Sequence, residues 1–262
     1  MPNPLLEIQH LTKRFGGVLA LDDVELTVGE GETVGLIGPN GAGKTTLFNC
    51  VTGVLRPERG EIRFGRSSRE GVVGLAPHEI AQQGIARTFQ NIRLFSSMRV
   101  LENVIMGTYP RTHTGLWSAT LMTAEARREE QWARDRALGL LEMVGLASRA
   151  EDVAASLPFG QQRRLEIARA LASDPSLLLL DEPAAGLNPT EKQQLLHLIE
   201  QIKAQGLSIL LIEHDMRVVM PVSDRVAVLD YGKKIAEGSP STIQTDPRVI
   251  EAYLGTTQVG PA

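Results

Sequence analysis

Apolar residues alternate with polar ones, or run unbroken for a few positions, toward both ends of the chain, and take helical spacing in its middle. Near the start, LLEIQHL and DDVELTV read as strands, GEGE at 29–32 as a turn, and TVGLIG as a short buried strand running into glycine. TTLFNCVTG follows as a helix that stops at Gly53. GEIRFG predicts a further short strand, PHEIAQQG a helix bounded by proline and glycine, and IARTFQ a strand ending at Gln90. From Asn91 to Pro175 the spacing is helical, with VLENVIMG, an amphipathic run from Thr123 to Val144, and a helix from Gln161. In that last helix Leu165, Ile167, Ala168 and Leu171 form an apolar stripe beside Arg163, Arg164 and Arg169, and Pro158, Phe159 and Gly160 predict a glycine turn at its entrance. TYPRTHTGLWSATLMT is polar and nonperiodic and predicts an exposed insertion.

Beyond Pro175, SLLLLDE, TEKQQLLHLIEQIKAQG, LSILLIE, DMRVVMPVS and DRVAVLD alternate strand with helix. Continuous apolar strands separated by helices predict a parallel sheet covered on both faces. The expected organisation is one α/β unit over 1–262. Residues 1–90 and 176–255 form its core, 91–175 a helical subdomain, and 256–262 a loose tail.

Composition narrows the chemistry. With 262 residues and 42% hydrophobic content the chain can bury a sizeable core. A formal charge of -4 and a pI near 5.8 argue against a general nucleic-acid binder. The single cysteine, Cys50, excludes an internal disulfide framework, fits a reducing compartment, and in LFNCVTG reads as a small buried apolar residue. Apolar runs such as LLLL at 177–180, which ends at Asp181, fall far short of the ~18 residues a membrane span needs. MPNPLLEIQH has no basic stretch followed by an apolar one, so no export signal is expected and the predicted location is cytoplasmic.

GPNGAGKTT, Gly38 to Thr46, carries G-x-x-x-x-G-K-[ST] between a buried strand and a helix. Gly38, Pro39, Asn40, Gly41, Ala42 and Gly43 form a loop whose backbone N–H groups can curl around phosphates. Lys44 reaches the β- and γ-phosphates, and Thr45, followed by Thr46, offers a hydroxyl to Mg²⁺. LLLLDE supplies Asp181 as a metal-side acid and Glu182 as a group to polarise water; alone, such a pair is more often a helix cap or solvated strand end, but beside a phosphate loop the balance reverses. His214 ends LSILLIE-H as Gln90 ends IARTFQ, and parallel sheets bind ligands beyond their carboxyl ends.

GPNGAGKTT, RTFQ, GQQRRLEIARAL, LLLLDEPAAGLNP and IEHD occur in the order and spacing of the ATP-binding subunits of ABC transporters, which the chain resembles over residues 5 to 254. The resemblance implies a P-loop NTPase with a mostly parallel core sheet, an antiparallel β subdomain and an inserted α-helical subdomain. It makes Gly160 and Gln161 the end of the family's signature motif, which faces ATP held by the phosphate loop of a second subunit. It likewise implies that Phe15 in KRFGG stacks on adenine, that Gln90 contacts Mg²⁺ and water, and that His214 switches on the γ-phosphate. RTFQNIRLFSSMRVLENV, LLIEHDM and the closing AYLG resemble the branched-chain amino acid importer subgroup, with amide and urea importers sharing much of the pattern.

From that resemblance come the expected cofactors, ATP and Mg²⁺, and the expected partners: a second ATPase subunit, separate permease chains, and indirectly an extracellular or periplasmic solute-binding protein. The subunit would sit peripherally on the inner face of the membrane. One departure stands out: the family reads Leu-Ser-Gly-Gly-Gln where this chain reads Leu157-Pro158-Phe159-Gly160-Gln161. Pro158 lacks the serine hydroxyl, which predicts a weaker site under this signature and a heterodimer with a related chain. Asn188 stands near a position where many relatives carry aspartate. The rival class, a soluble ABC protein acting on ribosomes or DNA, usually shows paired cassettes or long coiled coils, and neither occurs here.

Overall fold

The computed structural model describes residues 4–65, 70–111 and 124–255. The predicted insertion tip, 112–123, and the tail, 256–262, lie outside the described residues. Two sheets organise the chain. β1 (Pro4–Phe15), β2 (Val18–Gly29), β4 (Arg59–Phe64) and β5 (Glu70–Gly71) pair antiparallel in the order β2-β1-β4-β5. The second sheet has β3 (Thr33–Ile37), β6 (Ile85–Arg87), β7 (Leu177–Asp181), β8 (Ser208–Ile212), β9 (Arg225–Asp230) and β10 (Lys233–Gly238) in the order β10-β9-β3-β8-β7-β6. All its pairs are parallel except the β9–β10 hairpin at one edge.

The unbroken apolar strands have the predicted cause. Along β7 and β8, Leu178, Leu180, Ile209 and Leu211 belong to one apolar core, whereas Leu177, Leu179, Leu210 and Ile212 belong to the other. Successive side chains point to opposite faces, so a strand covered on both must be apolar throughout. The second core is shared with the antiparallel sheet and with α1 (Lys44–Val51), whose Cys50 is buried; burial pushes its thiol up to about 11.

The other core joins the sheet to helices from the middle of the chain: α3 (Val100–Gly107), α4 (Ala124–Met143) and α5 (Phe159–Ala172). A short α2 (Pro77–Gln83) precedes β6, ending as predicted on Gly84 at φ 106°. α6 (Pro189–Ala204) and α7 (Met216–Val222) cover the same face as α5, and α8 (Pro240–Thr245) and α9 (Pro247–Gly255) close the chain.

Two sequence expectations are corrected. α5 does not begin at Gln161 after a glycine turn: Pro158 is its N-cap, accepting the N–H groups of Gln161 and Gln162 at 2.9 and 3.0 Å, and Gly160 lies in its first turn. Proline fits that position because an N-cap residue needs no helical N–H. Nor does Gln90 end a strand. β6 stops at Arg87, Thr88 still donates to Leu179 O at 3.0 Å, and Arg163 then draws the carbonyls of Phe89 and Gln90 away at 2.7 and 2.8 Å.

Candidate functional site

The sheet register assembles the site. Asp181 pairs with Ile212 and Ile212 with Leu36, so β3, β7 and β8 end in one row. The residues just past these strand ends, Gly38 onward, Glu182, and Glu213 with His214, therefore emerge along the same edge.

After β3 the backbone turns on glycines: Gly38 at φ 151°, Gly41 at 81° and Gly43 at 104°. Gly43 has no room for a side chain, since a Cβ there would lie 2.5 Å from Ala20 O; this contact docks the β1–β2 hairpin against the loop. Pro39 and Ala42 are buried, whereas Asn40 and Gly41 form an exposed tip. Gly43 caps α1 without a side-chain hydrogen bond, and no acid stands in that helix's first turn, leaving its first N–H groups and positive dipole end for an anion. Lys44 is 6% exposed and folds back to donate to Gly38 O at 2.6 Å and Pro39 O at 2.9 Å. Burial lowers its ammonium pKa, against the charges of Glu182 and Asp181. Thr45 is exposed and Thr46 half-buried on the first turn.

Asp181 is 2% exposed and takes Arg87 Nη2 on Oδ2 at 2.8 Å. Glu182 follows at φ 46°, left-handed backbone that costs a non-glycine residue roughly 1–2 kcal/mol. Gln90 Nε2 donates to Glu182 Oε2 at 3.1 Å, and His214 Nδ1 stands 3.8 Å from the same oxygen. Gln90, Glu182, His214 and the Lys44 loop are thus gathered at one edge. Phe15 sits apart at the hairpin tip, 47% exposed, with the Lys13 ammonium 5.5 Å from its ring centre.

Gly160 and Gln161 are not in this group. Gly160 packs on α6, where a Cβ would meet Glu191 Oε1 at 2.4 Å, and Phe159 covers Gly186. Glu191 is committed to a capping box, with Asn188 Oδ1 accepting its N–H at 2.9 Å and its Oε2 accepting Asn188 N–H at 3.0 Å. Asn188 therefore has a local structural task of its own.

Several residues around the site were not singled out by sequence. Arg87 also donates to Asn49 Oδ1 at 2.8 Å and Thr52 Oγ1 at 3.1 Å, joining β7 to the end of α1. Arg163, read as part of a polar helix face, is 1% exposed and pairs with Glu166, also 1% exposed, at 2.8 Å. Glu166 Oε1 accepts the N–H groups of Phe89 and Arg93, both at 3.3 Å. Burial raises the Glu166 pKa and the Arg163 charge opposes the rise. The only sequence signal was an arginine and a glutamate three residues apart on one helix.

Residues 21–185 match the family described as ABC transporter, and 233–258 the one described as branched-chain amino acid ATP-binding cassette transporter. The chain is 48% identical over 256 residues to the high-affinity branched-chain amino acid transport ATP-binding protein LivG of Salmonella typhimurium (strain LT2), covering 97% of this chain and 99% of that protein. It superposes on the ADP conformation of an ATP-binding cassette of an ABC transporter with a TM-score of 0.83 at 32% identity, covering 96% of this chain and 99% of that one. A dimeric ATP-binding cassette in a post-hydrolysis state with ADP and Pi matches with a TM-score of 0.75 at 26% identity, covering 90% and 98%.

Proposed function

This chain belongs to the ABC transporter ATP-binding family, and from that premise we propose that it is the ATP-hydrolysing subunit energising a permease that imports branched-chain amino acids. The observation that carries the chemistry is the meeting of Gln90, Glu182 and His214 at the strand edge that also bears the Lys44 loop. Glu182 accepts a proton from water as the water oxygen bonds to the γ-phosphorus and the bond to the β–γ bridging oxygen breaks, releasing ADP and phosphate. Gln90 orients the Glu182 carboxylate, and His214 addresses the γ-phosphate. Lys44 exchanges its two carbonyl partners for phosphate oxygens, and Phe15 offers its exposed face to adenine.

The donor set fits Mg²⁺: the Thr45 hydroxyl, the Gln90 amide oxygen and an Asp181 oxygen not taken by Arg87 are hard oxygen ligands. Among the described residues no group of three or more His, Cys, Asp or Glu could hold a metal by itself; bound with nucleotide, Mg²⁺ would take its other ligands from the phosphates and water. When bound, Mg²⁺ neutralises phosphate charge.

Gly160 and Gln161, at the N-terminus of α5, complete the nucleotide site of a second ATPase subunit, and that subunit's signature completes this one. No helix among the described residues is long and apolar enough to cross a membrane; in the proposed complex separate permease chains hold this subunit at the inner face. A groove of about 510 Å³ lined by Phe89, Arg93, Leu94, Phe95, Met106, Pro110 and Arg169 lies beside Gln90. A ribosomal or DNA-directed role is not favoured.

The reading is tested by ATP-driven uptake of labelled leucine, isoleucine and valine into vesicles bearing the reconstituted complex. Uptake of an amide or urea in their place redirects the assignment. Lys44→Ala is expected to weaken ATP binding at least about tenfold in equilibrium titration, because the lysine charge meets the phosphates in the ground state; unchanged affinity removes that role.

We also propose that the partner ATPase is a related chain retaining serine where this one has Pro158. Glu182→Gln here then removes about fivefold more ATPase activity than the matching change in the partner, the effect of one hydrogen bond lost from the site that faces Pro158. Equal losses, or full transport with this ATPase alone, overturn the asymmetry.

A further inference from the structure

Glu182 occupies left-handed backbone at φ 46°, which its own side chain disfavours, so its direction depends on what fixes the turn. Three hydrogen bonds do so. Glu182 N–H donates to Ile212 O at 2.9 Å and Ala185 N–H to Glu182 O at 3.1 Å, both backbone bonds that many sequences could form. The third is Ala184 N–H to Glu213 Oε1 at 2.7 Å, the shortest of the set and the one that depends on a particular side chain.

Glu213 is an unusual residue for its location. It is 1% exposed, and among the described residues no lysine or arginine pairs with it. Among the described residues its second oxygen meets its neighbour, with His214 N–H at 3.3 Å and the His214 ring Nδ1 at 3.9 Å. Burial, and less so the Glu182 charge, raise its pKa, while the Ala184 and His214 N–H groups and the His214 charge oppose the rise. A buried acid without a cationic partner is costly, and here its oxygens are directed at the segments carrying Glu182 and His214.

We propose that Glu213 is a positioning residue for Glu182. By accepting the Ala184 N–H it locks residues 182–184 in the conformation that presents the Glu182 carboxylate to Gln90 and His214. The reach of the acceptor matters, and the charge of Glu213 does not. The proposal rests on Glu182 as the group that activates water.

The full-length protein in its transporter complex separates reach from charge. Glu213→Asp keeps the charge but withdraws the acceptor by one methylene. It is expected to lower kcat at least about tenfold, with ATP affinity within about threefold, and to speed hydrogen exchange of the Ala184 amide at least about tenfold, as loss of one hydrogen bond allows. Glu213→Gln keeps the reach and loses the charge, and is expected to restore both kcat and Ala184 protection to within about threefold of wild type.

An active Glu213→Asp variant, a Glu213→Gln variant as slow as Glu213→Asp, or a parallel loss of ATP affinity overturns the proposal. Should Glu213→Asp fail to fold, a tenfold fall of kcat in Glu213→Gln overturns it alone. Glu182→Gln, measured alongside, keeps the two readings apart: wild-type turnover there removes the water-activating role of Glu182, whereas Ala184 exchange reports on the lock whichever residue activates water.

Discussion

Glu182→Gln is expected to lower ATP hydrolysis at least about a hundredfold while ATP affinity stays within about threefold. The amide has nearly the shape of the carboxylate, so the turn at φ 46° and the surrounding packing have no reason to change. The variant loses the carboxylate, proposed to take the proton from water, on which Gln90 Nε2 and His214 Nδ1 converge at 3.1 and 3.8 Å. Lys44 and Asp181 remain, so the ground-state nucleotide complex persists and a dimer closed on ATP becomes long-lived. Steady-state hydrolysis, equilibrium binding of ATP and the oligomeric state with ATP present check the three statements. Retention of a third or more of wild-type turnover would show that Glu182 does not activate water.

Arg163→Met is expected to destabilise the nucleotide-free protein by about 3–5 kcal/mol, because it leaves the Glu166 carboxylate buried without its cation. For a chain of this size that lowers the unfolding temperature by roughly 6–20 °C. Arg163 also holds the carbonyls of Phe89 and Gln90, so the segment carrying Gln90 loosens with it. The double variant Arg163→Met, Glu166→Met should be more stable than Arg163→Met alone, since it removes both charges from the core. Thermal unfolding of the three proteins decides the matter. A single variant within 2 °C of wild type, a tolerance set on the same roughly 2–4 °C per kcal/mol scale, would mean that water or a shifted side chain already compensates Glu166.

Much of the fold follows from chain neighbours alone. Unbroken apolar strands between amphipathic helices determine a parallel sheet covered on both faces, and the alternate residues of β7 and β8 divide between two cores accordingly. The phosphate loop is legible for the same reason. Strand, glycines, lysine and helix lie within fourteen residues, Thr33 to Thr46, and the chemistry needs them consecutive. Turn and cap residues such as Gly84 and Asn188 act over three or four positions, within reach of a local pattern.

Tertiary structure decided what depends on distant partners. Gln90 meets Glu182 across 92 residues, and Arg163 reaches Gln90 O across 73, so no periodicity in either segment encodes the contact. Helical spacing puts Arg163 among polar residues because arginines usually face water; burial becomes favourable only where Glu166 and two carbonyls supply its hydrogen bonds. Local pattern makes Gly160 a turn former, yet it sits in regular helix and is small because Glu191 of α6 occupies the place of its side chain. The sequence by itself thus determined the elements and the phosphate loop, whose causes are local. The orientation of Glu182, the path of the Gln90 segment and the burial of Arg163 and Glu213 depend on desolvation and hydrogen bonding between strands and helices that only folding brings together.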